Sequence, residues 1–349
     1  MVTIDFDLRR QYIEQDINRR FDAVHTLDET DYKICALTGI VAGVIDTFLI
    51  GIPHPSRDGV AGGYLDTMVR KWFDSKFPSE KMAVLAGSAQ SKVPYDAQDN
   101  RNTNTDVAGL SSYYHRLLSL GHDPVLGFVV GIFDILNGAF TTIDKRGRFV
   151  SQDMSDVYGK RISMQILDAF VKHFSHLKSD VNTSMGLPAP FMCLFNLCQF
   201  GKIGRERLTI AETVQGMFYQ GYDFQHFCAM SIPQIIIEVV VRAAFWIRNR
   251  CSIKRIPLFT SNKRTGKLDS MLCVAHGCFC SVNTIKIGIT RNPCAINYPE
   301  WLRFGRLLIK EAGRHVYGKD IAKSAFIARD VEEYIDYCIK EMKSGKTGS

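Results

Sequence analysis

Four side chains have the types that metal binding or acid–base catalysis requires. His115 and His122 lie seven residues apart in the segment YYHRLLSLGHDPVLG. Seven residues make about two turns of an α-helix, so the two imidazoles are predicted to point the same way. Asp46 and Asp134 each lie within a long apolar stretch. We expect these four residues to bind a divalent metal or to act as catalytic acid–base groups.

The same residues also have a structural interpretation. Asp123 precedes Pro124, which is typical of a helix N-cap followed by the first helical residue. A buried aspartate can likewise hydrogen-bond to neighbouring backbone. If Asp46 and Asp134 share one apolar interior, a shared proton, a histidine cation or a metal must compensate their charges. The sequence leaves these alternatives open.

The two apolar stretches contain an internal repeat. LTGIVAGVIDTFLIG begins at Leu37 and VLGFVVGIFDILNGA begins at Val125, and the two align without gaps in the pattern GxxxGxxD. Glycines four residues apart clear one helix face for close packing. We expect the two repeat helices to pack as a pseudo-symmetric pair that brings both aspartates together. A chance similarity between two glycine-rich helices is the alternative.

Other histidines and cysteines are weaker candidates. His173 and His176 lie in the polar segment VKHFSHLKSD and are predicted to be solvated. Cys273, His276 and Cys280 share a helical stripe, which suits either part of a zinc site or a core helix with small side chains. The ten cysteines include no CxxC pair, which favours buried free thiols in the reducing cytoplasm.

Helical spacing of apolar residues prevails over strand alternation, so the elements that position these residues are predicted to be mainly α. We expect a compact multi-helix bundle with unusually apolar central helices and at most a small β-hairpin near residues 140–151, where β-branched residues flank KRGR. We predict a polar helical arm over residues 1–30 and a helical region with the repeat over residues 31–151. A helical region with a basic stretch follows over residues 152–343, and residues 344–349 form a frayed tail.

Three segments raise the question of a membrane. Residues 34–52 and 125–143 are nearly uncharged, and residues 227–247 are strongly apolar although they contain Glu238 and Arg242. Their lengths approach the roughly 20 residues that cross a bilayer. The mean hydropathy of −0.05 is low for a protein with many membrane spans. Both true spans and a soluble or peripheral protein with an apolar helical core stay open.

The formal net charge is +7 at pH 7, and the basic residues are unevenly distributed. No acidic residue lies between Glu238 and Asp269, and residues 242–267, the basic stretch, are rich in lysine and arginine. It is predicted to bind an anionic surface, with phospholipid favoured over nucleic acid because no recognition helix or aromatic platform is evident. A solvated loop is the alternative. The predicted binding residues are Arg248, Arg250, Lys254, Arg255, Lys263, Arg264 and Lys267.

The segments DYKICALTGIVAGVIDTFLIG, HRLLSLGHDPVLG and MLCVAHGCFC resemble uncharacterised helical proteins of bacterial mobile elements and genomic islands. The resemblance covers most of residues 31–315. It implies a bacterial accessory protein with a role in phage defence or element maintenance, and it implies no particular activity.

Two hypotheses follow. The first is a helical effector that acts at or near membranes, located in the cytoplasm and associated with the inner membrane. The second is a metal-dependent hydrolase or transferase for a phosphate-bearing or lipid substrate. In that case a divalent metal is the cofactor, the basic stretch holds phosphate, and the ligands or acid–base groups are Asp46, Asp134, His115 and His122.

Overall fold

The fold is mainly α, as predicted, and the residues that the structure describes are 65% helix and 8% strand. The computed structural model describes residues 15, 26–56, 59–100, 106–158, 165–183, 186–204, 206–249 and 266–317. Most of the predicted N-terminal arm and all of the predicted C-terminal tail lie outside the described residues.

Eleven α-helices are present among the described residues. They are α1 (Glu29–Ile45), α2 (Tyr64–Lys76), α3 (Ser79–Ala86), α4 (His115–Leu118), α5 (Val130–Asn137), α6 (Ser155–Tyr158), α7 (Ile166–Asp180), α8 (Ile210–Tyr219), α9 (Phe224–Asn249), α10 (Lys267–Thr290) and α11 (Tyr298–Tyr317). A π-helical turn, Asp46–Ile50, extends α1. Short 3₁₀ turns occupy Leu120–His122, Leu126–Phe128, Met192–Leu197 and Pro293–Ala295.

Two antiparallel ribbons complete the described secondary structure. Strand β3 (Ala139–Ile143) pairs with β4 (Phe149–Asp153), which confirms the hairpin predicted near residues 140–151. Its turn contains Gly147 at φ 75°, a left-handed conformation that favours glycine. The other ribbon joins β1 (His54–Ser56) to β2 (Gly59–Ala61) in a segment without strand alternation in its sequence.

The second repeat stretch does not form one long helix, so residues 125–143 are not among the helices long enough to cross a membrane. Asp123 accepts the backbone N–H groups of Val125 and Leu126 where the first turn begins. Gly138, at φ 65°, ends α5, and β3 follows at once. A left-handed glycine is a common helix terminator, and it divides an apolar sequence between a helix and a strand.

Three other helical segments are long and apolar enough to cross a membrane, judged by length and composition. They are Glu29–Ile50, Phe224–Arg248 and Lys267–Thr290, with hydropathies of 1.8, 1.6 and 1.4. At most 39% of the most apolar window of each segment is buried. Large apolar side chains therefore face outward on them, among them Phe48 and Ile289, which are 74% and 77% exposed.

The chain divides into two units. One comprises Met1–Ala42, Ile235–Cys280 and Glu300–Ser349, and the other comprises Gly43–Gln234 and Ser281–Pro299. The first has a core around Cys35, Ile237 and Phe279. The second has several apolar clusters, one around Ile50 and Met230 and another around Tyr95, Leu118 and Phe140. The boundaries predicted from the sequence at residues 30, 151 and 343 describe the chain differently and stay predictions.

All four repeat glycines lie at close contacts, as their spacing predicts. In the first unit, a Cβ atom at Gly39 would overlap the carbonyl oxygen of Ala275 on α10. In the second unit, a Cβ atom at Gly43 would lie 2.7 Å from Cβ of Val282 on α10. At Gly127 and Gly131, the imidazole of His173 would lie 2.8 Å away. The expected pairing of the two repeat helices is wrong, because the glycines of the first repeat pack against α10 and those of the second repeat pack against α7.

Candidate metal centre

Five buried or half-buried side chains of the second unit form a chain of close contacts between nitrogen and oxygen atoms. The Nε2 atoms of His122 and His176 are 3.1 Å apart. Asp96 Oδ1 lies 3.2 Å from His115 Nε2 and 3.5 Å from His122 Nε2. Asp180 Oδ2 lies 3.5 Å from His122 Nε2 and 3.4 Å from His176 Nε2. We refer to these five residues as the His/Asp cluster.

The spacing of the ligand atoms of Asp96, His122 and His176 fits a single metal ion. Around an ion about 2.1 Å from each ligand, adjacent ligand atoms are separated by about 3.0 Å and opposite ones by about 4.2 Å. The neighbouring atoms of the cluster are 3.1–3.5 Å apart. The ligand atoms of Asp96, His122 and His176 all lie within 4.8 Å of one another. These three ligands leave further coordination positions for water or substrate, and His115 and Asp180 lie beside them.

Separate elements deliver these side chains. His115 begins α4, His122 ends the 3₁₀ turn that follows, and Asp96 lies in the loop after α3. His176 and Asp180 are four residues apart on α7 and therefore share one face of that helix. The glycine contacts of the second repeat with His173 fix the position of α7 beside the turn that contains Gly121.

Hydrogen bonds outside the cluster orient two of its members. His176 Nδ1 lies 2.7 Å from the carbonyl oxygen of Ser91, so it carries the proton and leaves the Nε2 lone pair for the cluster. Arg116 donates to Asp180 Oδ1 at 3.0 Å, which leaves Oδ2 facing the cluster. The ring of Tyr95 packs edge-on against the imidazoles of His122 and His176.

Four polar atoms of the cluster residues lack a hydrogen-bond partner within the described part of the chain. Two of these four atoms lie within 3.5 Å of another cluster atom. They are His115 Nε2 and Asp180 Oδ2, both in residues no more than 3% exposed. His115 Nε2 faces Asp96 Oδ1, but not along a hydrogen-bond direction. Because burying an unpaired polar atom costs free energy, a bound cation would remove a cost that the folded chain otherwise carries.

Electrostatics place Asp96 and His122 in the protonation states that bind metal. Burial disfavours the charged form of Asp96, but His115, His122 and His176 outweigh it and hold the pKa of Asp96 well below its usual range. Burial, together with the neighbouring imidazoles, holds the pKa of His122 well below its usual value. At neutral pH, Asp96 is therefore a carboxylate and His122 a neutral imidazole, as metal ligation requires.

His115 and His122 are brought together as their spacing predicts, but Asp46 is not part of the cluster. Its Oδ2 accepts from Lys286 Nζ at 2.9 Å and from Asn283 at 3.1 Å, and its Oδ1 accepts from Asn297 at 2.7 Å. This buried carboxylate is neutralised by a lysine and saturated with hydrogen bonds. Its contacts are those of a structural residue.

Asp134 also has its own partners. It accepts from Oγ1 and from the backbone nitrogen of Thr141, at 2.6 and 3.0 Å, and so joins α5 to β3. Burial raises its pKa to about 7. The expectation that Asp46 and Asp134 share one interior as ligands is replaced by two separate hydrogen-bond sites.

Three cluster residues were not predicted from the sequence. Asp96 lies in a polar stretch without regular periodicity, and His176 was expected to be solvated, although it is 3% exposed and His173 is fully buried. The available signal was the spacing of His176 and Asp180 on one helix, which places two ligands on the same face.

The basic stretch is only partly described. Arg248 pairs with Asp28 and Asp31, and Lys267 pairs with Asp31 at 2.7 Å, so the two flanking cations already have carboxylate partners. Its other predicted binding residues, Arg250, Lys254, Arg255, Lys263 and Arg264, lie outside the described residues. The anion-binding role of this stretch stays a prediction.

The Cys273–His276–Cys280 stripe of α10 has the contacts of a core helix. The imidazole of His276 is hydrogen-bonded to Glu300 and lies 3.6 Å from Glu238. The described cysteines are free thiols, and four of them have the predicted burial whereas the other four are partly exposed.

The fold and the site together define a mainly α protein with a candidate centre for a divalent metal. Comparison with protein-family models, curated proteins and solved structures finds no match to this chain. Functional conclusions therefore rest on the geometry of the site.

Proposed function

We propose that the protein is a metal-dependent hydrolase whose His/Asp cluster binds one divalent ion. The convergence of Asp96, His122 and His176, whose ligand atoms all lie within 4.8 Å of one another, carries this proposal. Mixed nitrogen and oxygen ligands suit Zn²⁺, Fe²⁺ or Mn²⁺. An ion with an open position lowers the pKa of bound water and polarises a phosphoryl oxygen, so we expect a phosphate-bearing substrate. A transferase would use the same site with another acceptor in place of water.

The test is metal analysis of the purified protein after incubation with Zn²⁺, Mn²⁺ or Fe²⁺ and removal of free ions. We expect about one ion per chain, and its loss in His122→Ala and His176→Ala. The matched control is His54→Ala, which removes an exposed histidine outside the cluster. Metal-dependent cleavage of a nitrophenyl phosphodiester should be lost in the same two variants. A parent protein that retains no ion after all three incubations would contradict the proposal.

A second candidate function is association with a membrane, which the outward-facing apolar side chains of α1, α9 and α10 support. Cell fractionation tests it, with recovery in the membrane fraction after an alkaline carbonate wash as the expected result. Recovery in the supernatant without detergent would contradict it.

The accessory role in phage defence rests on the resemblance to proteins of mobile elements. We expect cells that express the parent protein to plate fewer phages than cells that express His122→Ala. Equal plating over a broad phage panel would oppose this role.

A further inference from the structure

The tip of the β3–β4 hairpin and the loop after the third 3₁₀ turn, Met192–Leu197, form one continuous surface. The side-chain amide of Gln199 donates to the carbonyl oxygen of Lys145 at 3.0 Å. At Gly147, a Cβ atom would lie 2.9 Å from Cγ of Gln199. These contacts hold the two segments together, so their outward side chains belong to a single patch. We define this tip surface as Arg146, Arg148, Phe149, Phe200, Lys202 and Ile203.

Half of the tip surface is apolar and exposed. Phe149, Phe200 and Ile203 are 63%, 64% and 40% exposed. Two phenylalanines and an isoleucine that project from neighbouring tight turns leave an uncovered apolar patch, which in soluble proteins commonly marks a binding surface.

The other half is basic. Arg146 and Lys202 are exposed, and Arg148 keeps a half-exposed side chain although it pairs with Asp144 at 2.7 Å. Asp144 itself is buried and accepts the backbone N–H groups of Arg146 and Arg148, so its charge stays inside the turn. Glu206 is an exposed acid further along the same loop. The patch therefore combines positive charge with apolar side chains.

We propose that the tip surface docks the protein on an anionic phospholipid bilayer. Apolar side chains inserted at the level of the headgroups, with flanking arginine and lysine on lipid phosphates, are the elements of interfacial membrane binding. The exposed aliphatic Ile203 enters hydrocarbon readily but cannot stack on a nucleobase, which favours lipid over nucleic acid. This docking requires neither a metal in the His/Asp cluster nor membrane spans in α1, α9 and α10.

The test is flotation of the purified protein with vesicles of phosphatidylcholine, with and without phosphatidylglycerol. The test variant is Arg146→Gln/Arg148→Gln/Lys202→Gln. The charge-matched control is Lys71→Gln/Lys76→Gln/Lys81→Gln, which removes three exposed lysines from α2 and α3. Each basic residue near an anionic surface raises the partition coefficient about fivefold. We therefore expect the partition coefficient of the test variant on anionic vesicles to be roughly 25- to 100-fold lower than that of the parent. The control should bind like the parent.

The apolar half is tested by Phe149→Ser/Phe200→Ser. Both side chains are mostly exposed, so the variant should fold, which circular dichroism checks. We expect weaker binding to anionic vesicles. Hydrogen exchange of the vesicle-bound protein distinguishes docking through the tip surface from binding through the apolar helices α1, α9 and α10, because it reports on the tip amides directly. Backbone amides of residues 145–149 and 199–203 should be protected only when phosphatidylglycerol is present.

Three results would overturn the proposal. One is a test variant that partitions like the parent, and another is equal exchange of the tip amides on both kinds of vesicle. The third is salt-sensitive binding of single-stranded RNA that the test variant loses, without any preference for anionic vesicles. That result would assign the tip surface to nucleic acid.

Discussion

Five side chains carry the candidate chemistry, and the sequence indicated two of them. His115 and His122 were found because they are close in the chain and separated by two helical turns. Asp96 and Asp180 reach the same point only through the packing of α7 against distant segments, which no local pattern encodes. Asp46 and Asp134 have the residue type of a ligand, but Lys286 and Thr141 already satisfy them. Residue type and apolar surroundings therefore do not separate a ligand from a structural carboxylate.

Arg116 acts as a positioning residue because it holds Asp180 Oδ1 and so aims Oδ2 at the cluster. We expect Arg116→Gln to weaken metal binding by about 10- to 100-fold, as loss of a partner that orients a ligand commonly does. Titration against a chelator of known affinity measures the change. Arg306→Gln, at an exposed arginine of α11, is the control. Equal affinities of parent and Arg116→Gln would show that Asp180 needs no such support.

Asp134 should make stability depend on pH. Because its pKa rises to about 7 in the folded protein, the native state binds this proton more tightly than the unfolded state does. Stability is therefore lost as pH rises from about 4 to 7, with a total cost on the order of 4 kcal/mol. Asp134→Asn does not titrate and can still bond to Thr141. We expect the variant to exceed the parent in stability by about 1–4 kcal/mol at pH 8, with a much smaller difference at pH 4.5. Urea unfolding at both pH values measures this, and an equal difference at both would refute the assignment.

Helix α7 shows how an element combines two environments. Its inner face presents His173, His176 and Asp180, whereas Leu167 and Phe174 on the outer face are 69% and 53% exposed. The sequence predicted a helix here but assigned the histidines to water, because apolar and polar residues occupy both faces. Periodicity alone gives the helix and not its orientation. The orientation depends on Gly127 and Gly131, which admit the His173 ring.

The fit between α5 and α7 predicts a specific effect of Gly131→Leu. A Cβ atom there would lie 2.8 Å from His173 Nδ1, so the larger side chain must push the ring and α7 away. We expect a loss of stability of about 3 kcal/mol or more and weaker metal binding, since overpacking alone commonly costs about 1–3 kcal/mol. Thermal unfolding and metal titration measure the two effects. Gly216→Leu on α8, where a Cβ atom meets nothing within 4 Å, should melt close to the parent.

For the whole molecule, the helical spacing of apolar residues predicted the mainly α class correctly, because this spacing extends over most of the chain. It could not say which apolar stretches form long helices. Residues 125–143 are as apolar as α1, yet one capping aspartate and one left-handed glycine divide them. By contrast, α10 stays continuous from Lys267 to Thr290 although it includes His276, Asn283 and Lys286.

A bound ion should stabilise the protein as a whole. Asp96, His122 and His176 come from a loop, a 3₁₀ turn and α7, so the unfolded chain cannot offer them together. At a free-ion concentration of about 1,000 times Kd, binding adds about 4 kcal/mol to the free energy of unfolding. We expect a strong chelator to lower the melting temperature of the parent and to leave that of His122→Ala unchanged. Calorimetry with and without chelator measures this, and an equal shift in both proteins would contradict it.

The discontinuous first unit has a consequence for biosynthesis. Its three segments are separated in the chain by the parts of the second unit, and the last begins at Glu300. During translation, α1 leaves the ribosome long before α10 and α11. The contact of Gly39 with Ala275 therefore cannot form until most of the chain has been translated. Exposed apolar segments in partly made chains are prone to aggregate. We therefore expect nascent chains that end before α10 to be captured by a chaperone or by the membrane-insertion machinery, and chains that end after α11 to be released.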